Sequence, residues 1–184
     1  MRNIALLLLF GASLMTRAQS VLEKTDENCG GTIFTVQNIV FTINYGQNVN
    51  DLIILGKYDF VDSELAVKKY SEDGKTRDNN VRVSAHLFHF NVESSSEAIL
   101  SEIKETGYRP ATLLELLAFD EIVNIPLQNS HEIVALGSLI KCGNGHFGVP
   151  FINNNYLGRS LDIAWYNGDW ETNYYFLAIK KKMF

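Results

Sequence analysis

The feature that most constrains the fold is a change of direction between two helical segments, in residues 107–118. Gly107 favours the left-handed conformation that ends a helix, and Pro110 fixes its own φ and keeps the residue before it extended. Thr112 and Glu115 then match a capping box, in which a hydroxyl and a carboxylate satisfy unpaired N–H groups at a helix start. The segment therefore predicts a helix end, a rigid corner and a new helix that its leucines seat in the core.

The first eighteen residues are typical of a secretory signal peptide. Arg2 supplies a positive charge, residues 4–10 form a short apolar run, and Thr16 and Ala18 are small residues at the cleavage positions. The run is much shorter than the roughly 20 residues that cross a bilayer. We therefore expect residues 19–184 to form one domain that is secreted or periplasmic in a bacterium, with no membrane span.

The charge of the mature chain disfavours anionic partners. Loss of Arg2 and Arg17 leaves 14 Lys and Arg against 21 Asp and Glu, so the formal net charge changes from −5 to −7. An acidic surface repels nucleic acid and anionic membrane, and neither is predicted as a partner. Lys180, Lys181 and Lys182 form the only basic cluster of the mature sequence, and we interpret them as a solvated chain end.

The cysteines and histidines predict neither a metal site nor a cofactor. Cys29 and Cys142 are able to pair in an oxidising compartment, but spacing alone leaves that disulfide open. Two cysteines without histidines beside them do not make a zinc site. His86 and His89 are three residues apart on a predicted strand, which places them on opposite faces.

The order of predicted elements indicates a single α+β domain with an antiparallel or mixed sheet and two to four helices. Residues 81–92 alternate well, and Phe88 and Phe90 indicate that this strand is covered on both faces in its second half. The other predicted strands are 32–44, 133–140, 147–152, 157–165 and 174–179, and the predicted helices begin near residues 50, 63, 95 and 112. Three details complete the prediction: Pro150 at a sheet edge or bulge, a turn at residues 153–155, and a hairpin loop at residues 166–170.

No residue set predicts catalysis. The chain lacks the common hydrolase, metalloprotease, phosphate-binding and dinucleotide motifs. His131 and His146 flank a predicted strand near Cys142. Cys142 and His146 have the chemistry of a nucleophile and its base, but no third residue is marked to orient them. Glu102 and Glu105 are predicted to lie on an exposed face of a helix, and Glu115 is part of the capping box.

The last third of the chain is rich in amides, carboxylates and aromatic rings, the groups with which proteins recognise sugars or peptides. The same oxygens are suited to Ca²⁺, and turn formation and core packing are the structural alternative. The predicted ligand-binding residues are Asn154, Tyr156, Trp165, Asn167, Asp169 and Trp170.

Residues 107–112 with residues 115–117 resemble the G-W-R-L-P-T-x-x-E corner of bacterial C-type-lectin-like domains, which include the formylglycine-generating-enzyme-like group. Residues 165–180 resemble the hairpin that closes those domains, so the resemblance covers residues 97–180 and implies a lectin-like fold there. The chain lacks the paired cysteines and the Glu-Pro-Asn motif of the calcium-dependent lectins, and the active-site cysteine pair of the enzymes. Residues 133–138, 149–150 and 159–161 are also similar to bacterial secreted proteins of unknown function.

From these patterns we expect a non-catalytic module that binds a ligand or a surface, with a glycan or a cell-surface protein as partner. Two alternatives stay open. A hydrolase that uses a carboxylate or His146 would show acidic groups and histidine converging in one deep pocket. A structural or assembly subunit would show an exposed apolar sheet edge near Pro150.

Overall fold

The computed structural model describes residues 33–67, 80–123, 132–155 and 157–181, with the backbone alone for residues 33–38, 66, 67 and 123. The predicted leader, Cys29, His131 and Tyr156 lie outside these ranges. Among the described residues, no helix is both long enough and apolar enough to cross a membrane.

The described chain forms four helices and eleven strands. The helices are α1 (Val49–Gly56), α2 (Ser63–Val67), α3 (Ser96–Glu105) and α4 (Leu113–Val123). The strands are β1 (Ile33–Asn44), β2 (Phe60–Val61), β3 (Asn80–Phe90), β4 (Ser94–Ser95), β5 (Tyr108–Pro110), β6 (Glu132–Val134), β7 (Ile140–Lys141), β8 (Phe147–Asn155), β9 (Gly158–Trp165), β10 (Asp169–Trp170) and β11 (Tyr174–Lys180).

One large mixed sheet organises these elements. Its strand order is β1-β3-β11-β6-β8-β9-β2, with β5 paired to β11 and β7 paired to β8. The pairs β11–β6 and β2–β9 are parallel, and the other pairs of this sheet are antiparallel. The short strands β10 and β4 form a second, antiparallel pair. The predicted α+β class with a mixed sheet and up to four helices is confirmed.

The sheet carries a hydrophobic core on each face, so the domain has three layers. Helices α1, α2 and α4 pack on one face, where Leu52, Leu65 and Leu116 are buried. Helix α3 packs on the other face together with Trp170 of β10. Strand β3 contributes Val83, Ala85 and Leu87 to the first core and Phe88 and Phe90 to the second. The prediction that both faces of this strand are covered in its second half is therefore confirmed.

The corner has the geometry that its sequence predicts. Gly107 has a φ of +82° and follows Thr106, the residue that caps the end of α3, and β5 then pairs with β11. The backbone N–H of Thr112 donates to Glu115 Oε2 at 2.8 Å, and the N–H of Glu115 donates to Thr112 Oγ1 at 3.4 Å. The hydroxyl of Ser138 accepts a further bond from the N–H of Leu113 at 2.8 Å. Helix α4 thus begins with a satisfied capping box in the centre of the molecule.

Several local predictions are wrong because distant strands decide the pairing. Residues 153–155 belong to β8, where Asn153 pairs with Glu132 of β6 and with Ser160 of β9. Residues 166–170 do not close a hairpin, because β10 pairs with β4 and β11 pairs with β3, β5 and β6. Residues 133–140 form two short strands rather than one.

Pro150 lies inside the sheet and is buried, rather than at an edge or a bulge. Its carbonyl accepts from the N–H of Ala135 at 3.0 Å, just beyond the end of β6. The N and C=O of a strand residue point to the same side, so the missing N–H faces the gap between β6 and β7. A proline is tolerated there because neither strand requires a donor at that position.

Candidate functional site

The two tryptophans lie in opposite environments. The side chain of Trp170 is 4% exposed and packs in the α3 core, where its ring meets Tyr174 and Phe176 edge-on. Its Nε1 donates to Ser96 Oγ at 2.8 Å. Trp165 ends β9 two residues after Ile163, which packs on the other core, and Trp165 is 55% exposed. The prediction that Trp170 contacts a ligand is therefore corrected, and Trp165 alone presents an open indole.

A second aromatic ring orients the indole of Trp165. The imidazole of His146 meets it edge-on, with ring centroids 5.3 Å apart and an interplanar angle of 78°. Phe147 begins β8 beside it and is 45% exposed. Large apolar surface is normally buried, so three neighbouring rings at one end of the β8–β9 ribbon are a conspicuous feature of this surface.

The loop that carries His146 is held in place by its own backbone and by α2. Cys142 N–H donates to His146 O, and Gly145 N–H donates back to Cys142 O, both at 2.9 Å. Gly145 has a φ of +86°, which suits glycine at this tight turn. Glu64 Oε1 accepts from the N–H of Gly143 at 2.7 Å and ties the loop to α2. The aromatic surface is therefore supported by a constrained turn.

Two open cavities flank Trp165. The smaller, about 240 Å³, lies between α2 and the turn and is lined by Asp62, Glu64, Cys142, Gly143, Asn144, Ile163 and Trp165. The larger, about 410 Å³, is lined by Asn144, His146, Phe147, Trp165, Asn167 and Gly168. The exposed indole of Trp165 therefore lies between two hollows, the smaller lined by carboxylates and the larger by amides.

The amides of the larger cavity retain hydrogen-bonding capacity. Asn144 Oδ1 accepts from the N–H of His146 at 3.1 Å, which leaves the side-chain NH₂ pointing away from that bond. In the described part of the chain, the side chain of Asn167 has no hydrogen-bond partner, and this residue is exposed. Polar groups beside an exposed ring are suited to a ligand that both stacks and hydrogen-bonds.

The structure unites only some of the predicted ligand-binding residues. Trp165 and Asn167 line the same cavity. Asp169 is exposed but pairs with Ser95 in the small β10–β4 sheet. Asn154 lies opposite Arg159 at the far end of the β8–β9 ribbon, about 20 Å along the strand from Trp165, which lies opposite Gly148. Asn154 therefore does not join the surface around Trp165, and Tyr156 lies outside the described residues.

The other candidate groups have different surroundings. Cys142 and His146 line different cavities, and no partner sulfur for Cys142 occurs among the described residues. The pairing with Cys29 stays a prediction. In the same ranges, no cluster of three or more His, Cys, Asp or Glu is arranged to hold a metal ion.

Glu132 is the carboxylate on the α3 side of the sheet with a perturbed acidity. Its Oε1 accepts from Asn153 Nδ2 at 3.1 Å, and its Oε2 is buried without a partner in the described residues. Burial raises the pKa of Glu132, the nearby hydroxyl of Tyr174 opposes the rise, and the charges of Glu171 and Asp162 add to it. None of the residues around Glu132 lines either of the two hollows beside Trp165.

Comparison with known proteins gives no relative. No family model, no curated protein and no solved structure matches the chain. The geometry around Trp165 therefore carries the functional argument by itself.

Sequence reasoning found Trp165 and Asn167 but missed half of the site. Asn144 lies in the Gly143-Asn144-Gly145 stretch, whose composition is a turn signal. Asp62 and Glu64 are about eighty residues earlier and reach the site because β2 pairs in parallel with β9. No local sequence pattern predicts that β2 pairs with a strand so far away in the sequence.

Proposed function

We propose that this chain is a non-catalytic module that binds a hydroxyl-rich ligand, a glycan on a cell surface, at Trp165. The observation that carries the proposal is the 55% exposure of an indole that His146 orients and two hollows flank. Sugar rings stack their C–H faces on flat aromatic surfaces, and their hydroxyls pair with amides and carboxylates.

The charge of the surface supports a neutral ligand over an acidic one. Asp62 and Glu64 are the two acidic side chains among the residues that line the hollows. Two carboxylates repel an anionic ligand at short range. Sugar hydroxyls, in contrast, donate readily to carboxylate oxygens.

The test is retention on a glycan array by the parent chain and by a matched pair of variants. Trp165→Ala should lower retention at least about tenfold, which corresponds to ~1.4 kcal/mol. Leu157→Ala removes a side chain that is 78% exposed at the opposite end of the ribbon, and should leave retention unchanged. Retention of no glycan, or equal retention by the parent and Trp165→Ala, contradicts the proposal.

Two further proposals concern origin and compartment. The left-handed Gly107, the extended residues of β5 and the cap at Thr112 support a relation to the C-type-lectin-like corner. The composition of residues 1–18 supports export through a cleaved leader. Mass spectrometry of the chain expressed in a bacterium should find a mature N-terminus near residue 19; an intact leader on the folded protein would contradict export.

A further inference from the structure

A third cavity opens where β11, β3 and β5 come together. Its volume is about 470 Å³, within the range of small-molecule sites. The apolar part of its lining is formed by Val81, Val83 and Ile179, at the margin of the core beneath α4. The cavity shares no lining residue with the two hollows beside Trp165.

The polar part of the lining is cationic, although the chain as a whole has a formal net charge of −5. Arg109, Lys180 and Lys181 line the cavity together with Tyr45. The guanidinium of Arg109 is already paired with Glu115, at 2.9 Å from Nη1 to Oε2 and 2.5 Å from Nη2 to Oε1. This pair is neutral overall and leaves the two lysines to set the charge.

Neither lysine is neutralised by the protein in the ranges that the structure describes. No carboxylate lies within 4.0 Å of Lys180 or Lys181 there, and both residues are exposed. Ile179 and Lys181 are two residues apart in an extended segment, so both side chains are directed to the cavity side. Burial and the hydrogen bond to Glu115 raise the pKa of Tyr45 to about 12, so the phenol is neutral at physiological pH.

We infer that this cavity binds a small aliphatic carboxylate, with its carboxylate at Lys181 and its hydrocarbon chain on Val81, Val83 and Ile179. An ammonium and a carboxylate form a charge-assisted hydrogen bond. The apolar floor offers no donors to a phosphate or sulfate, so an anion that is charged all round would lose hydration there without compensation. An aliphatic tail gains free energy from the same floor.

The test is calorimetric titration of the full chain with octanoate. Octanol and acetate serve as probes that keep only the tail or only the carboxylate, and inorganic phosphate serves as an anion without a tail. Octanoate should bind, and the other three should bind at least about tenfold more weakly, because each lacks one of the two interactions. Equal binding of octanol, acetate or phosphate, or no heat with octanoate, overturns the inference.

A pair of lysine variants locates the carboxylate. Lys181→Gln should weaken octanoate binding about fivefold or more and leave octanol unaffected. Lys104→Gln removes the same charge from an exposed position on α3 and should change neither. Equal weakening by both variants, or none with Lys181→Gln, contradicts the site. Retention of the parent chain on glycans is a separate measurement, so failure here leaves the surface around Trp165 unaffected.

Discussion

At the scale of single residues, Glu115 joins the local and the long-range structure. Its carboxylate is buried, and it accepts from Arg109, from the hydroxyl of Tyr45 at 2.5 Å and from the N–H of Thr112. The sequence predicts the bond to Thr112, because the capping box is local. It does not predict Tyr45, which is seventy residues away and arrives at the end of β1.

Replacing Arg109 should lower the free energy of unfolding more than replacing the carboxylate of Glu115. Arg109→Met leaves the buried carboxylate of Glu115 without a counter-charge and should lower the free energy of unfolding by about 3 kcal/mol. Glu115→Gln leaves a guanidinium that is 39% exposed and partly hydrated, and should cost about 1–2 kcal/mol. Urea unfolding of both variants measures the difference. A larger cost for Glu115→Gln would show that the carboxylate is not the group that needs a partner.

The same network sets a dependence of stability on pH. Burial alone would raise the pKa of Glu115, but hydrogen bonds from Arg109, Tyr45 and Thr112 outweigh it and hold this pKa below its ordinary value of 4.5. A lowered pKa in the folded state contributes stability above pH 4.5 that is lost as the pH falls toward the folded value.

The parent chain should therefore lose its advantage over Glu115→Gln as the pH falls below 4.5. Glutamine does not titrate, so the difference in the free energy of unfolding isolates this carboxylate. Urea unfolding at several values between pH 7 and pH 3 measures it. A difference that stays constant over this range would contradict the role of ionised Glu115.

At the scale of elements, the sequence predicts the corner between α3 and α4 but not the contacts that this corner makes with distant segments. The structural roles of Gly107, Pro110 and Thr112 are set by these residues and their near neighbours in the sequence. The turn after β6 docks against this corner, because the N–H of Gly137 donates to Ala111 O at 2.8 Å. A Cβ on Gly137 would lie 2.6 Å from that same oxygen. Nothing near residue 137 in the sequence indicates this contact.

Three glycine variants should separate backbone conformation from close packing. Gly107→Ala meets no atom within 4 Å but must adopt a positive φ, and should cost about 1 kcal/mol. Gly137→Ala pushes against the backbone of the corner and should cost about 3 kcal/mol. Gly168→Ala meets only Trp165 O at 3.6 Å and serves as the control. Chemical unfolding ranks the three, and an equal cost at residues 107 and 137 would refute the docking.

At the scale of the whole molecule, the sheet decides which aromatic side chains are exposed and which are buried. The α+β class and the two-sided burial of β3 follow from composition and alternation. The separation of Trp165 from Trp170 does not, because it depends on β10 pairing with β4, some seventy-five residues earlier. Asn154 and Trp165 look close in sequence but lie at opposite ends of one ribbon.

The difference between the two indoles should be measurable in the unliganded chain. Trp165 and Trp170 are its only tryptophans, so Trp170→Phe and Trp165→Phe each leave one fluorophore. Iodide should quench Trp165 strongly and Trp170 weakly, because 55% of the first side chain and 4% of the second are exposed. Similar quenching constants for the two variants would contradict the burial of Trp170.

The central claim is that Trp165 contacts the ligand. Its most direct test is iodide quenching of Trp170→Phe, titrated with a glycan that the parent chain retains on the array. The account predicts that quenching of Trp165 falls as the glycan saturates the protein, because the stacked sugar shields the indole. Saturation that leaves the quenching of Trp165 unchanged would contradict the claim.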